Sequence, residues 1–161
     1  RLGSQPGPVV EVRTGEHVGA HDGAHGFTIG QRRGLALGRP APDGAPRYVV
    51  GVETASNTVF VGPPTLLDVD QLEGDDVVWL EPQWTGERTG LTVQVRAHGQ
   101  AVPAVARAVD GPEVPGLLIT TERKLRAIAA GQTAVLYDGD RVVASTTISR
   151  SGRRSVVASG Q

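Results

Sequence analysis

Three histidines and two Gly-Gln segments are the residues of this 161-residue sequence whose types and spacing could do chemistry. His17, His21 and His25 recur every four residues with Asp22 beside them, which on a helix would align imidazoles on one face as zinc ligation requires. Gly19, Gly23 and Gly26 argue against that helix, and solvated histidines in a polar loop are the other reading. In Gly30-Gln31-Arg32-Arg33-Gly34 the glycines permit close backbone approach, Gln suits base edges or ribose, and Arg suits phosphate. Adjacent arginines on a solvated surface look the same, so these residues alone leave RNA contact and a plain exposed turn both open. Gly131-Gln132 poses the same choice, with Gly ending a turn and Gln merely exposed as the plain reading. Asp75-Asp76 reads as a turn with solvated charges. No Gly-x-Ser-x-Gly elbow supports a serine hydrolase. The sequence has no cysteine, which excludes disulfides, thiolate nucleophiles and zinc-cysteine sites from it.

The elements that must carry these residues are mostly strands. Aromatics are limited to two each of Phe, Trp and Tyr, so Val, Ala, Leu and Ile must fill the interior, and Val favours strands. Val9 to Arg13 reads as a strand turning at Thr14-Gly15 toward His17-Val18, and residues 19–34 as a loop of defined shape. Arg47 to Glu53 and Thr58 to Gly62 form a second hairpin around Thr54-Ala55-Ser56-Asn57. Pro63-Pro64 breaks the chain, residues 65–74 read as a polar connection, and the domain boundary falls near residue 65. Short runs follow at Val77–Leu80, Leu91–Arg96, Val102–Val109, Leu117–Thr120, Thr133–Tyr137 and Arg141–Ile148, the spacing of a small barrel or sandwich. Asp138-Gly139 suggests a type I′ hairpin turn between the last two. Thr121 to Ala130 alone has helical composition, and residues 151–161 read as a disordered tail. The net charge of −1 gives no bulk attraction for nucleic acid, so any RNA contact must come from local patches. No apolar run is long enough for a membrane span and no signal-peptide core is visible, so a cytoplasmic protein without membrane contact is expected.

Taken together, His21-Asp22-Gly23, Phe27 to Leu35, Tyr48-Val49-Val50 and Asn57 to Gly62 resemble, in this order, the central domain of the bacterial tRNA-specific 2-thiouridylase family. Val95-Arg96 and Arg126 to Gly139 resemble that family's C-terminal barrel, and the resemblance runs from about Leu2 to Arg150. Three departures stand out: Ala130 replaces a usual Pro, Ala97 a frequent aromatic, and residues 143–147 a Gly-rich run. The resemblance implies a mainly β protein, with a small central domain over 1–64 and a six-stranded β-barrel over 65–150. It implies the tRNA-recognition half of a transferase that 2-thiolates the wobble uridine, with tRNA, through its anticodon loop, and a sulfur-donor protein as partners. ATP, with magnesium, would be held by a Ser-Gly-Gly-x-Asp-Ser loop of an N-terminal domain absent from this sequence, and a pair of cysteines would relay the persulfide sulfur. The chain alone is therefore expected to be inactive. Gln31, Arg32, Arg33, Arg96 and Gln132 would face tRNA, Ala97 through its backbone only, and His21 would order the loop near the missing cysteine. Two alternatives remain from the residues themselves: a non-enzymatic barrel adaptor of translation-factor type that binds RNA or protein, and a zinc hydrolase using His17, His21 and His25.

Overall fold

Valine-rich runs punctuated by Gly, Pro and Asn pair into sheets throughout the chain. The computed structural model describes residues 4–38, 41–96, 99–110 and 115–154, and the chain divides into two units, Arg1–Leu67 and Asp68–Gln161. No helix among the described residues is long and apolar enough to cross a membrane.

The first unit is a four-stranded mixed sheet of β1 (Gly7–Glu11), β2 (His17–His21), β3 (Tyr48–Glu53) and β4 (Thr58–Gly62), in the order β2-β1-β4-β3. β1 and β4 run parallel and the other neighbours antiparallel. Val9, Val49, Val59 and Val61 form its core with Ala24. Phe27, Ile29, Leu35 and Leu37 pack against that core. These four apolar residues, two on each side of residues 30–34, anchor the arms of the loop and leave its tip facing water. β2 extends to His21, three residues into the stretch expected to be loop, and a short 3-10 turn follows at Ala24–Gly26. A buried ion pair joins Glu11 to Arg47, Oε2 to Nε at 2.7 Å.

The second unit is a closed barrel of β5 (Asp68–Trp79), β6 (Glu87–Gln94), β7 (Val102–Val109), β8 (Gly116–Arg126), β9 (Thr133–Asp138) and β10 (Arg141–Gly152). The order around the barrel is β10-β5-β8-β7-β6-β9 and every pairing is antiparallel. Leu72, Leu91, Leu117, Ile119, Leu136 and Ile148 fill the interior, each almost wholly buried. Closure leaves no free edge strand to seed aggregation.

Four local expectations are corrected by this barrel. Thr121 to Ala130 is not a helix: β8 runs to Arg126, and the φ of 57° at Ala127 breaks the strand there. Pairing with β5 and β7 and the burial of Thr121 and Ile119 override local helical composition. Residues 68–74 are not a connection but the first half of β5, with Val69 and Leu72 buried among polar neighbours. The hairpin after Asp138 has Gly139-Asp140 as its two loop residues, and only Gly139 has positive φ, 61°, so it is not the type I′ turn, which needs two. Ser151 and Gly152 belong to β10 and Arg153 and Arg154 bond back to β5, while residues 155–161 of the expected tail lie outside the described residues.

Candidate functional site

The two Gly-Gln segments fold into the same turn, although one lies in each unit. In the first, Gln31 N–H donates to Thr28 O at 3.0 Å and Gly30 takes φ 92°. Gly30 N–H donates to Val49 O at 2.8 Å, and Val49 N–H returns to Gln31 O at 2.9 Å. The Gln31 amide oxygen then accepts from Thr28 N–H at 3.1 Å. In the second, Gly131 also has φ 92°, Gly131 and Gln132 exchange the equivalent pair of bonds with Ile148 at 2.8 Å each, and Gln132 Oε1 accepts from Ala129 N–H at 2.8 Å. The positive φ at the third turn position selects Gly, and the following Gln caps the first residue's N–H with its own side chain.

What differs is the use of the other half of each amide. Gln31 Nε2 donates to Arg33 O at 2.9 Å, closing residues 31–33 into a small ring beyond the turn. Arg32 and Arg33 are exposed, and neither guanidinium has a partner among the described residues. Their charges project from a backbone that Gln31 holds from two sides. In the barrel, Arg96 is exposed and donates to the carbonyls of Arg126 and Ala127 at 3.1 and 2.9 Å, which ties the β6–β7 loop to the turn that leads to Gln132. Ala97 lies outside the described residues.

His21 is buried, and its Nδ1 accepts from Gly23 N–H at 2.9 Å. That leaves Nε2–H to donate to Asn57 O at 3.0 Å, and the ring stands edge-on to Phe27 with centroids 5.3 Å apart. Asn57 is the hub that sequence reasoning left unassigned. Its Oδ1 accepts from Ala24 N–H and its Nδ2 donates to Gln5 O and Pro6 O, so one side chain joins three segments. The signal was its place in a turn, where Asn tolerates its φ of 53°. A cleft of about 360 Å³ lined by His21, Asp22, His25, Phe27 and Gly34 adjoins this cluster.

The three histidines do not converge. His17 and His21 sit on a strand, where four residues span about 13 Å, and the His21 ring is committed to Gly23 and Asn57. Among the described residues no group of three His, Cys, Asp or Glu side chains is placed to hold a metal. The strand therefore does not align His17 and His21 as a helix would.

Residues 1–63 match the family model described as tRNA methyl transferase PRC-barrel domain, and residues 69–148 the one described as Aminomethyltransferase beta-barrel domain. The chain is 54% identical over 160 residues to the tRNA-specific 2-thiouridylase MnmA of Beutenbergia cavernae, covering 98% of this chain and 41% of that protein. Against the proteins of the same name from Frankia casuarinae and Streptomyces coelicolor it is 49% identical over 152 residues and 46% over 158. These matches cover 94% and 98% of this chain, and 41% and 40% of those proteins. The chain belongs to the tRNA-specific 2-thiouridylase family. It spans about two fifths of the length of the thiouridylases it matches. Within the first unit, a cleft of about 520 Å³ is lined by Glu11, Glu16 and Asp43 as well as Arg13 and Arg47. Arg47 is already paired with Glu11 and Asp43. A triphosphate needs donors rather than carboxylates, so this cleft does not fit the ATP that the family implies.

Proposed function

We propose that this chain is the tRNA-recognition part of a tRNA-uridine 2-sulfurtransferase. The whole protein would thiolate the wobble uridine in the cytoplasm, using ATP with magnesium and a persulfide sulfur passed from a donor protein. The chain itself has no cysteine and no Ser-Gly-Gly-x-Asp-Ser loop, so the nucleotide and the sulfur relay would be held elsewhere and the isolated chain would be inactive. Its own residues bind and orient. Arg32 and Arg33 would pair with anticodon-arm phosphates, because two adjacent guanidiniums on a braced loop bind an anion without first paying to order the backbone. Gln31 would act mainly by bracing that loop, since both ends of its amide already bond the backbone. Arg96 and Gln132 would meet the RNA at the barrel, Gln132 through the Nε2 that its turn leaves over. His21 would order the segment between Asp22 and Phe27 beside the reacting end.

The observation that carries this reading is the pair of unpartnered guanidiniums at Arg32 and Arg33 on the loop that Gln31 closes, in a chain of this family. The test is tRNA binding and wobble thiolation by the full-length protein carrying Arg32→Ala and Arg33→Ala. Loss of about two phosphate contacts should make the salt dependence of binding shallower by about 1.4–1.8 in the log–log slope, with thiolation reduced in step. Wild-type binding and thiolation in the double variant would sink it.

A further inference from the structure

The chain enters the first sheet through residues 4–6, all exposed, so hydrogen bonds rather than apolar burial must hold them. Gln5 N–H donates to Asp22 O at 2.8 Å, just beyond the Gly7 and His21 pair at which β1 and β2 begin to match. From the other side, Asn57 Nδ2 donates to Gln5 O at 2.8 Å and to Pro6 O at 3.2 Å, across 52 and 51 residues of sequence. Pro6 has no N–H to offer and its ring fixes φ, so these three bonds set the direction of the chain ahead of Gly7. Among the described residues no other side-chain hydrogen bond reaches residues 4–6.

Asn57 can hold both sides because a carboxamide carries an acceptor and donors together. Its Oδ1 takes Ala24 N–H at 3.0 Å while Nδ2 holds Gln5 and Pro6, and its own carbonyl takes His21 Nε2–H at 3.0 Å. The approach is close: a Cβ on Gly7 would overlap Asn57 O and stand 2.9 Å from the His21 ring. The core of this sheet is Val9, Val49, Val59 and Val61 with Ala24, so the clamp orders the entering segment rather than adding buried apolar surface. Its neighbours connect it to the arginine loop. Asp22, whose carbonyl holds Gln5, and Gly34, which follows Arg32 and Arg33, line the same cleft of about 360 Å³. The entering segment and the arginine loop therefore border one cleft.

On the reading of this chain as the RNA-binding part of a larger transferase, we infer that Asn57 is a positioning residue for thiolation. By clamping Gln5 and Pro6 against the turn from Asp22 to Ala24, it fixes the angle at which the amino-side part of the whole protein, which would hold the nucleotide and the sulfur relay, meets the Arg32 and Arg33 loop. Asn57 touches neither the RNA nor the reacting atoms. It aligns bound RNA with the reacting groups, so it governs the rate after binding and not the affinity.

Three variants of the full-length protein test this. Asn57→Asp keeps the acceptor for Ala24 N–H and a residue type that tolerates the left-handed φ of 53°, but loses the donors to Gln5 and Pro6. Asn57→Gly keeps the φ and removes the whole side chain. Ser56→Ala, an exposed change in the same turn, leaves the clamp intact. Each is compared with wild type for hydrogen exchange of the Gln5 amide, tRNA affinity, and the single-turnover rate of thiolation at saturating tRNA. Both Asn57 variants should exchange the Gln5 amide roughly tenfold faster. They should thiolate bound tRNA more slowly by roughly 10- to 100-fold, with affinity unchanged, and Ser56→Ala should match wild type in all three. Faster exchange with a wild-type rate would overturn the inference, as would unchanged exchange. So would losses of rate and affinity that follow the unfolded fraction seen in thermal melting, which would make Asn57 a structural residue only. A wild-type protein that binds tRNA without thiolating it would instead overturn the reading on which the clamp's role rests.

Discussion

A carboxamide offers one acceptor and two donor hydrogens, and in both Gly-Gln turns the acceptor already serves the N–H three residues back. Gln at these positions is thus first a turn component, and only its donor side is available for other use. That distinction was not legible in the sequence. Gly30-Gln31 and Gly131-Gln132 were both visible as turn-forming pairs, but composition cannot say whether a glutamine points at its own backbone or at a ligand. The turn itself makes a measurable demand on the glycine. Gly131 has φ 92° and a Cβ added there would meet nothing within 4 Å, so Gly131→Ala costs only backbone strain. The expected loss is about 1–2 kcal/mol, read as a lower urea midpoint with an unchanged slope of the unfolding curve. No loss of stability would mean that the φ at this position is not held as described.

Strands were legible wherever apolar residues alternate or run together, as in Val102–Val109, which is β7, and Thr58–Gly62, which is β4. They were not legible where charge dominates: the first half of β5 shows Asp68, Asp70, Gln71 and Glu73 to solvent, and only Val69 and Leu72 mark its inner face. The second half of β8 was misread because Arg123 to Ala130 is composed of good helix formers, and only long-range pairing decides against the helix. Pairing of β5 with β10 also explains a glycine in mid-strand. A Cβ on Gly74 would come within 2.3 Å of the Thr146 side chain, which is buried and donates through Oγ1 to Asp75 O at 2.6 Å. Gly74→Ala must either push β10 outward or turn Thr146 off its acceptor. The expected cost is about 1–3 kcal/mol, and Gly74→Ala/Thr146→Ala, which removes the obstructing atoms, should recover part of it. A single variant as stable as wild type, by thermal or urea unfolding, would show that the two strands do not approach this closely.

At the scale of the whole molecule, a short carboxyl-side segment, Arg153 and Arg154, is docked against the start of β5. Asp70 does this docking. Its carboxyl group is held below the ordinary aspartate range, chiefly by the hydrogen bond from Arg154 N–H, against the opposing effect of desolvation. The Arg154 side chain, by hydrogen bond and charge, and the charge of Lys124 act in the same lowering sense. A carboxylate whose folded value is depressed stabilises the folded arrangement at every pH above its unfolded value, and that contribution disappears as pH falls through the folded value. Arg154 should therefore remain docked on Asp70 until pH falls below the ordinary aspartate range. The Arg154 amide resonance reports this directly: its shift should titrate with a midpoint below that of an ordinary aspartate. Asp70→Asn should abolish the transition, and Lys124→Gln should move it upward, because a charge that favours the ionised carboxyl is gone. A midpoint at or above the ordinary aspartate value, or an amide indifferent to Asp70→Asn, would show that the segment is held by something other than this carboxylate.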